Sequence, residues 1–165
     1  MVQSTYFSGV IPAQSALIRY WHQNSVAGRL PLREDFDPGV LRRYLDAVSL
    51  VELEPDGRML FRLTGSKVRR LLGEDMRGRC LSELSGADAD SWALGFSAVL
   101  ERHMPVGGII STPRHRHAWL RMPLMSQRGG MLVLCHDTLL PLQATNGSHP
   151  TESKSPSHRR ADLAA

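Results

Sequence analysis

No apolar run in this 165-residue chain reaches the ~18 residues that a membrane-spanning helix needs, so none is expected. Cysteine is nearly absent. Cys80 and Cys135 are too few for a disulfide framework, and a reducing, cytoplasmic compartment is the simpler reading. The opening MVQSTYFSGVIPAQS lacks a basic stretch followed by an apolar one, so a secretory signal is not expected. Missing too are a run of five or more basic residues, a G-x-S-x-G elbow and a Gly-rich phosphate loop, since GSKVRR has no upstream glycine. The acidic pairs Glu34-Asp35 and Glu74-Asp75 fall in turns, where solvated carboxylates are ordinary. No catalytic residue and no metal ligand is assigned, and no enzymatic role is expected.

What remains is material for a folded domain. The chain is 42% hydrophobic, and at this length roughly 70% of the unfolded surface can be buried. Its net charge of +4 comes from 20 basic and 16 acidic residues, an excess too mild to name an anionic partner. Residues 143–165, QATNGSHPTESKSPSHRRADLAA, are rich in Ser, Pro, His and charge and cannot bury enough apolar area to offset ordering entropy. The expected organisation is an N-terminal arm over 1–13, a domain over 14–142 and a disordered tail over 143–165.

Within the domain, helix and strand signals alternate in blocks. A first helix is expected between Gln14 and Ala27, with Leu17, Tyr20, Trp21 and Asn24 on one face and Ile18 beside it. A short second helix should start at Asp37-Pro38, an N-cap followed by a proline suited to the first turn. AVSLVELE and RMLFRL read as strands joined at Pro55-Asp56-Gly57, a hairpin in which glycine supplies the positive φ. A helix closed by Gly73 follows. DADSWALGFSAVLERHM reads as one longer helix, capped by Asp90 or Ser91, striped by Trp92, Phe96, Val99 and Leu100, and stopped by Pro105. Three strands come last: VGGIIST, HAWLRMPLMS and GGMLVLCHDTLL, the last two joined through Arg128-Gly129-Gly130. In the middle one, Ala118, Leu120, Met122 and Leu124 alternate with His117, Trp119, Arg121 and Pro123. MLVLC is apolar on both faces, which suits a central strand covered on both sides. Five antiparallel strands split by helices give an α+β fold.

This order, and several motifs in it, resemble a stand-alone bacterial PAS-domain family. The residues concerned are Trp21, Gly28-Arg29-Leu30-Pro31, Asp35, Asp37-Pro38, Glu54-Pro55-Asp56-Gly57-Arg58 and Arg62-Leu63-Thr64-Gly65, with LLGEDMRGRCLSEL and ERHMPV later, so that the likeness spans roughly Ser15 to Leu140. The resemblance implies a five-stranded antiparallel sheet with helices on one face, an N-terminal helical extension and a ligand-sized cavity. Around that cavity it places Arg62, Leu120, Met122 and Val133 from strands, and Val68, Leu72, Cys80, Leu84, Phe96 and Val99 from the helical segment. Leu17, Ile18 and Trp21 are assigned to an interaction or dimer helix that covers the outer face near Trp119.

The expected function is that of a single-domain sensor and regulator, acting in trans on a signalling protein, with room for a small-molecule ligand and for a homodimer. No cofactor, membrane or nucleic-acid partner is expected. Two alternatives stay open: a basic module for nucleic acid or a nucleotide second messenger, and a haem or flavin receptor. Light-sensing relatives carry a flavin-reactive cysteine within GRNCRFLQ. This chain has GRCLSEL, without the polar residues that hold the flavin, so Cys80 reads as a small structural side chain. His103, near a helix end, is the candidate haem ligand, although the macrodipole alone favours a histidine there. His115 and His117 share a strand face, but the basic Arg114–His117 stretch reads as a solvated turn. Arg62 and Arg121 interrupt apolar strands; an arginine buried in such a place needs an anionic partner, and Arg62 can meet Glu52 across the hairpin.

Overall fold

Alternation along the last two strands organises the molecule. The structure, a computed structural model, describes residues 7–8, 10–86 and 89–142. The tail expected over 143–165 lies outside them, as does most of the N-terminal arm.

Strand β5 (Arg116–Met125) pairs along its whole length with β6 (Met131–Leu140), from Arg116 opposite Leu140 to Met125 opposite Met131. The other side of β6 pairs with β2 (Val48–Leu53), which pairs with β3 (Met59–Thr64), while β4 (Val106–Ser111) pairs with β5. All four pairings are antiparallel, and β6, whose MLVLC stretch is apolar on both faces, is the central strand as expected. A two-residue strand, β1 (Phe7–Ser8), adds a parallel edge beside β4 and makes six strands in the order β1-β4-β5-β6-β2-β3.

Each face of this sheet has its own cover. Helix α1 (Pro12–Asn24), the segment through the tight turn Arg33–Asp35, and α2 (Pro38–Leu41) lie over one face. There Leu17, Trp21, Phe36 and Leu41 pack on Leu120, Met122, Leu124 and Leu134. Trp21 also donates from Nε1 to the Pro123 carbonyl at 2.7 Å. A proline is tolerated within β5 because β4 pairs no further than Arg121, so the missing N–H removes no ladder bond on that side. Helices α3 (Ser66–Leu72), α4 (Ala89–Ala93) and α5 (Phe96–Arg102) belong to the opposite layer. Phe96 and Val99 pack there with Val51, Phe61, Met76 and Val133.

Two local features depart from the pattern read in the sequence. The single long helix expected over 88–104 is two helices, broken at Gly95 with φ +81°. A Cβ on Gly95 would sit 2.3 Å from the Trp119 ring, so the chain approaches where only glycine fits. Asp90 and Ser91, expected as the cap, lie inside α4, which begins at Ala89. The second departure is a bulge in β3. Leu50 opposes Leu63 and Val51 opposes Phe61, which leaves Arg62 unmatched. The extra residue turns Phe61 toward the α3–α5 layer and Leu63 toward the other, although the two stand two apart in sequence.

Candidate functional site

The space between the sheet and α3–α5, where the PAS-like resemblance implies a ligand, is occupied by a buried polar cluster. Odd-numbered residues of β5 and β6 point into it. Arg121 is 1% exposed and Asp137 equally so. The guanidinium Nη1 reaches both Asp137 oxygens at 3.0 Å, and Nη2 reaches Oδ1 at 3.0 Å. Nη1 also donates to the Leu120 carbonyl at 2.9 Å and Nη2 to the Trp92 carbonyl at 2.8 Å, tying α4 to the sheet. Phe96 and Trp119 flank the guanidinium, with ring centroids 5.2 and 5.8 Å from its carbon. His117 completes the group with Nε2 2.8 Å from Asp137 Oδ1 and its ring 5.2 Å from Trp92.

Electrostatics binds this cluster together. Burial works against the Arg121 charge, but the Asp137 carboxylate more than reverses it, and the guanidinium is held above its ordinary pKa. Burial pushes the Cys135 thiol up to about 12, so it is a protonated, inert side chain at neutral pH. The hydrogen-bond set is incomplete: among the described residues, Arg121 Nε and Trp119 Nε1 are buried without a partner.

On the opposite face lies an apolar cavity of about 400 Å³ between the N-terminal layer and the β2–β3 end of the sheet. Val48, Leu50, Leu124 and Leu134 form its floor, and Phe36, Pro38, Leu41 and Leu45 its roof. Leu63, brought there by the bulge, closes one side, and Arg33 and Glu34 stand at the rim. Gly65 fixes the height of the roof. Its N–H donates to the Val48 carbonyl at 2.8 Å, and a Cβ there would lie 2.2 Å from the Leu45 carbonyl oxygen.

The residues assigned from the sequence divide between these two places. Phe96, Val99 and Val133 lie in the α3–α5 core, with Leu72 and Leu84 packed beside them. Leu120 and Met122, assigned to the same pocket, face α1 instead, because β5 shows alternate residues to opposite layers. Val68 is fully buried on α3. Arg62 is not in a pocket: it is exposed and bonds Glu52 and Glu54, its bulge position turning it outward. Cys80 is half-buried, bridges Leu60 at the sheet edge and donates its N–H to Glu83 at 2.8 Å. Leu17 and Trp21 are buried and Ile18 packs beside them, as a cover for the sheet requires. Trp119, expected to meet them, faces the other layer, against Gly95 and Arg121. His103 is exposed where α5 ends. His117 is buried, not solvated.

Asp137, the counter-ion of Arg121, was not singled out in the sequence. Neither was His136, whose backbone oxygen and Nδ1 stand 3.4 and 3.5 Å from Gln14 Nε2 on α1. The basic excess forms no uncompensated face around the first hairpin: Arg58, Arg62, Arg77 and Arg79 each pair with nearby carboxylates. Among the described residues no group of His, Cys, Asp and Glu is placed to hold a metal, and no helix is long and apolar enough to cross a membrane.

A family model described as PAS domain matches residues 10–150. No curated protein matches the chain.

Proposed function

The chain belongs to the PAS-domain family, whose members have sensory and regulatory roles, and on that premise we propose that it regulates a signalling protein in trans through its N-terminal layer. The observation that carries this reading is the distribution of exposed apolar side chains around that layer. Val40 on α2 is 50% exposed, and Leu32 and Leu63 are each 37% exposed, the last at the mouth of the apolar cavity. Exposed aliphatics rimmed by charge suit a surface that is covered part of the time. The buried Arg121–Asp137 cluster serves as scaffold in this reading: it ties α4 to the sheet, while the α1 side is free to differ between ligand states. The role is regulatory rather than catalytic, the compartment cytoplasmic, and a second copy of the chain is one arrangement for such a layer.

Site-specific photo-crosslinking in cells tests the proposal. A crosslinker at Leu63 should capture a defined partner, and Val40→Glu should abolish that capture. The same crosslinker at Met104, exposed beside α5 on the other layer, should not capture it. Equal capture at both positions, or capture indifferent to Val40→Glu, would sink the assignment of the surface.

A further inference from the structure

We infer that the cavity under α2 binds a small amphiphile with an aliphatic body and an uncharged head that both accepts and donates hydrogen bonds, as an amide does. The inference rests on the proposed regulatory reading for its purpose, but on geometry alone for its chemistry.

The size is that of a small-molecule site. About 400 Å³ lies within the range of ligand pockets, and the space is a half-open slot between two layers. Its interior offers only aliphatic and aromatic contact: Phe36, Leu41, Leu50, Leu124 and Leu134 are all nearly or fully buried. A charged group in that interior would be desolvated without a partner, so the body of any occupant must be apolar.

The rim then selects the head. Arg33 and Glu34 both line the cavity and both are exposed, and neither has an ion pair or side-chain hydrogen bond among the described residues. The neighbouring Asp35 does not line the cavity and is committed to the Leu32 N–H at 2.8 Å, so it is not a second free carboxylate at the mouth. One guanidinium and one carboxylate make a mouth with donors, acceptors and no net charge. A carboxylate head gains Arg33 but meets Glu34, and an ammonium head gains Glu34 but meets Arg33. A neutral amide can accept from the first and donate to the second without either repulsion. This predicts a preference that a merely greasy surface would not have.

Three probes of equal chain length test it: octanamide, octanoate and octylamine, titrated below aggregation into protein labelled at leucine methyls and read by NMR. Octanamide should perturb the methyls of Leu50, Leu124 and Leu134, and bind about two- to fivefold tighter than either charged probe, the range of an exposed ionic contact. Glu34→Gln should raise the affinity for octanoate, and Arg33→Gln that for octylamine; both positions are exposed, so the fold is retained. Leu63→Trp, at the partly exposed side of the slot, should abolish the octanamide response. Overturning results are no perturbation of those methyls by any probe, one affinity for all three that neither rim variant alters, or octanamide binding unchanged by Leu63→Trp. A positive titration with no crosslinked partner would leave the ligand site standing and remove the docking surface; the reverse would separate them the other way.

Discussion

Replacing Arg121 with methionine should be among the most damaging single substitutions in this protein. Methionine fills much of the same volume between Phe96 and Trp119, so the loss is electrostatic rather than steric. What it leaves behind is Asp137, 1% exposed, stripped of its guanidinium contacts at 3.0 Å. The Leu120 and Trp92 carbonyls lose their donors at the same time. Breaking one partner of a buried pair typically costs about 3–5 kcal/mol. At about 2–4 °C per kcal/mol for a chain of this size, the melting temperature should fall by roughly 6–20 °C. The double variant Arg121→Met/Asp137→Leu removes the orphaned charge and should recover much of that loss, though His117 then lacks its partner at 2.8 Å and keeps a remainder of about 1–3 kcal/mol. Urea unfolding of the wild type, both single variants and the double variant gives the coupling directly. A cost under about 1 kcal/mol for Arg121→Met, or a double variant as unstable as the sum of its parts, would refute the view that a tightly coupled ion pair holds this layer.

Two further outcomes follow from the opposite layer. Trp21→Ala should cost about 3–5 kcal/mol by thermal unfolding, as truncation of a core aromatic does, whereas Trp21→Phe should cost only about 1 kcal/mol, the worth of the bond to Pro123; equal costs would mean that the indole packs loosely. His136 should make stability fall on acidification: its pKa is lowered from the ordinary 6.5 chiefly by burial, against the attraction of Asp137 and Asp46, so the unfolded chain binds the proton more readily. That contribution is complete above pH 6.5 and diminishes as pH drops toward the lowered folded value. His136→Gln should flatten the chemical-denaturation profile in that window, and an unchanged slope would count against His136 as its source.

Strands and turns were legible because their signals are local. Alternation in HAWLRMPL, the apolar run MLVLC and the glycines at 57 and 129 each act within a few residues, and the antiparallel sheet follows from them. Facing was harder. Alternation says that Trp119 and Leu120 point apart, but not which layer each one meets; that depends on Gly95 breaking a helix so that the chain can reach the Trp119 ring. Arg62 has the same origin, since one unmatched residue reverses its side and no local residue type announces the bulge. Asp137 was hidden for another reason. In CHDTLL it looks like a carboxylate near a strand end, and only the β5–β6 register, with Trp119 opposite Asp137 and Cys135 opposite Arg121, sets it diagonally against a buried cation.

That register has a consequence for how such a chain can vary. Along β5 and β6 every second residue faces the layer under α1, with its leucines, and the ones between face the layer under α4 and α5 that holds the ionic cluster. Point substitutions can therefore tune one layer and spare the other. A one-residue insertion or deletion inside either strand cannot: it would carry the Arg121 guanidinium into the leucines beneath Trp21 and set a leucine against Asp137. Length within these two strands is thus held far more tightly than composition, and related chains should place their gaps in the turns at 112–115 and 126–130 while leaving the strand interiors ungapped.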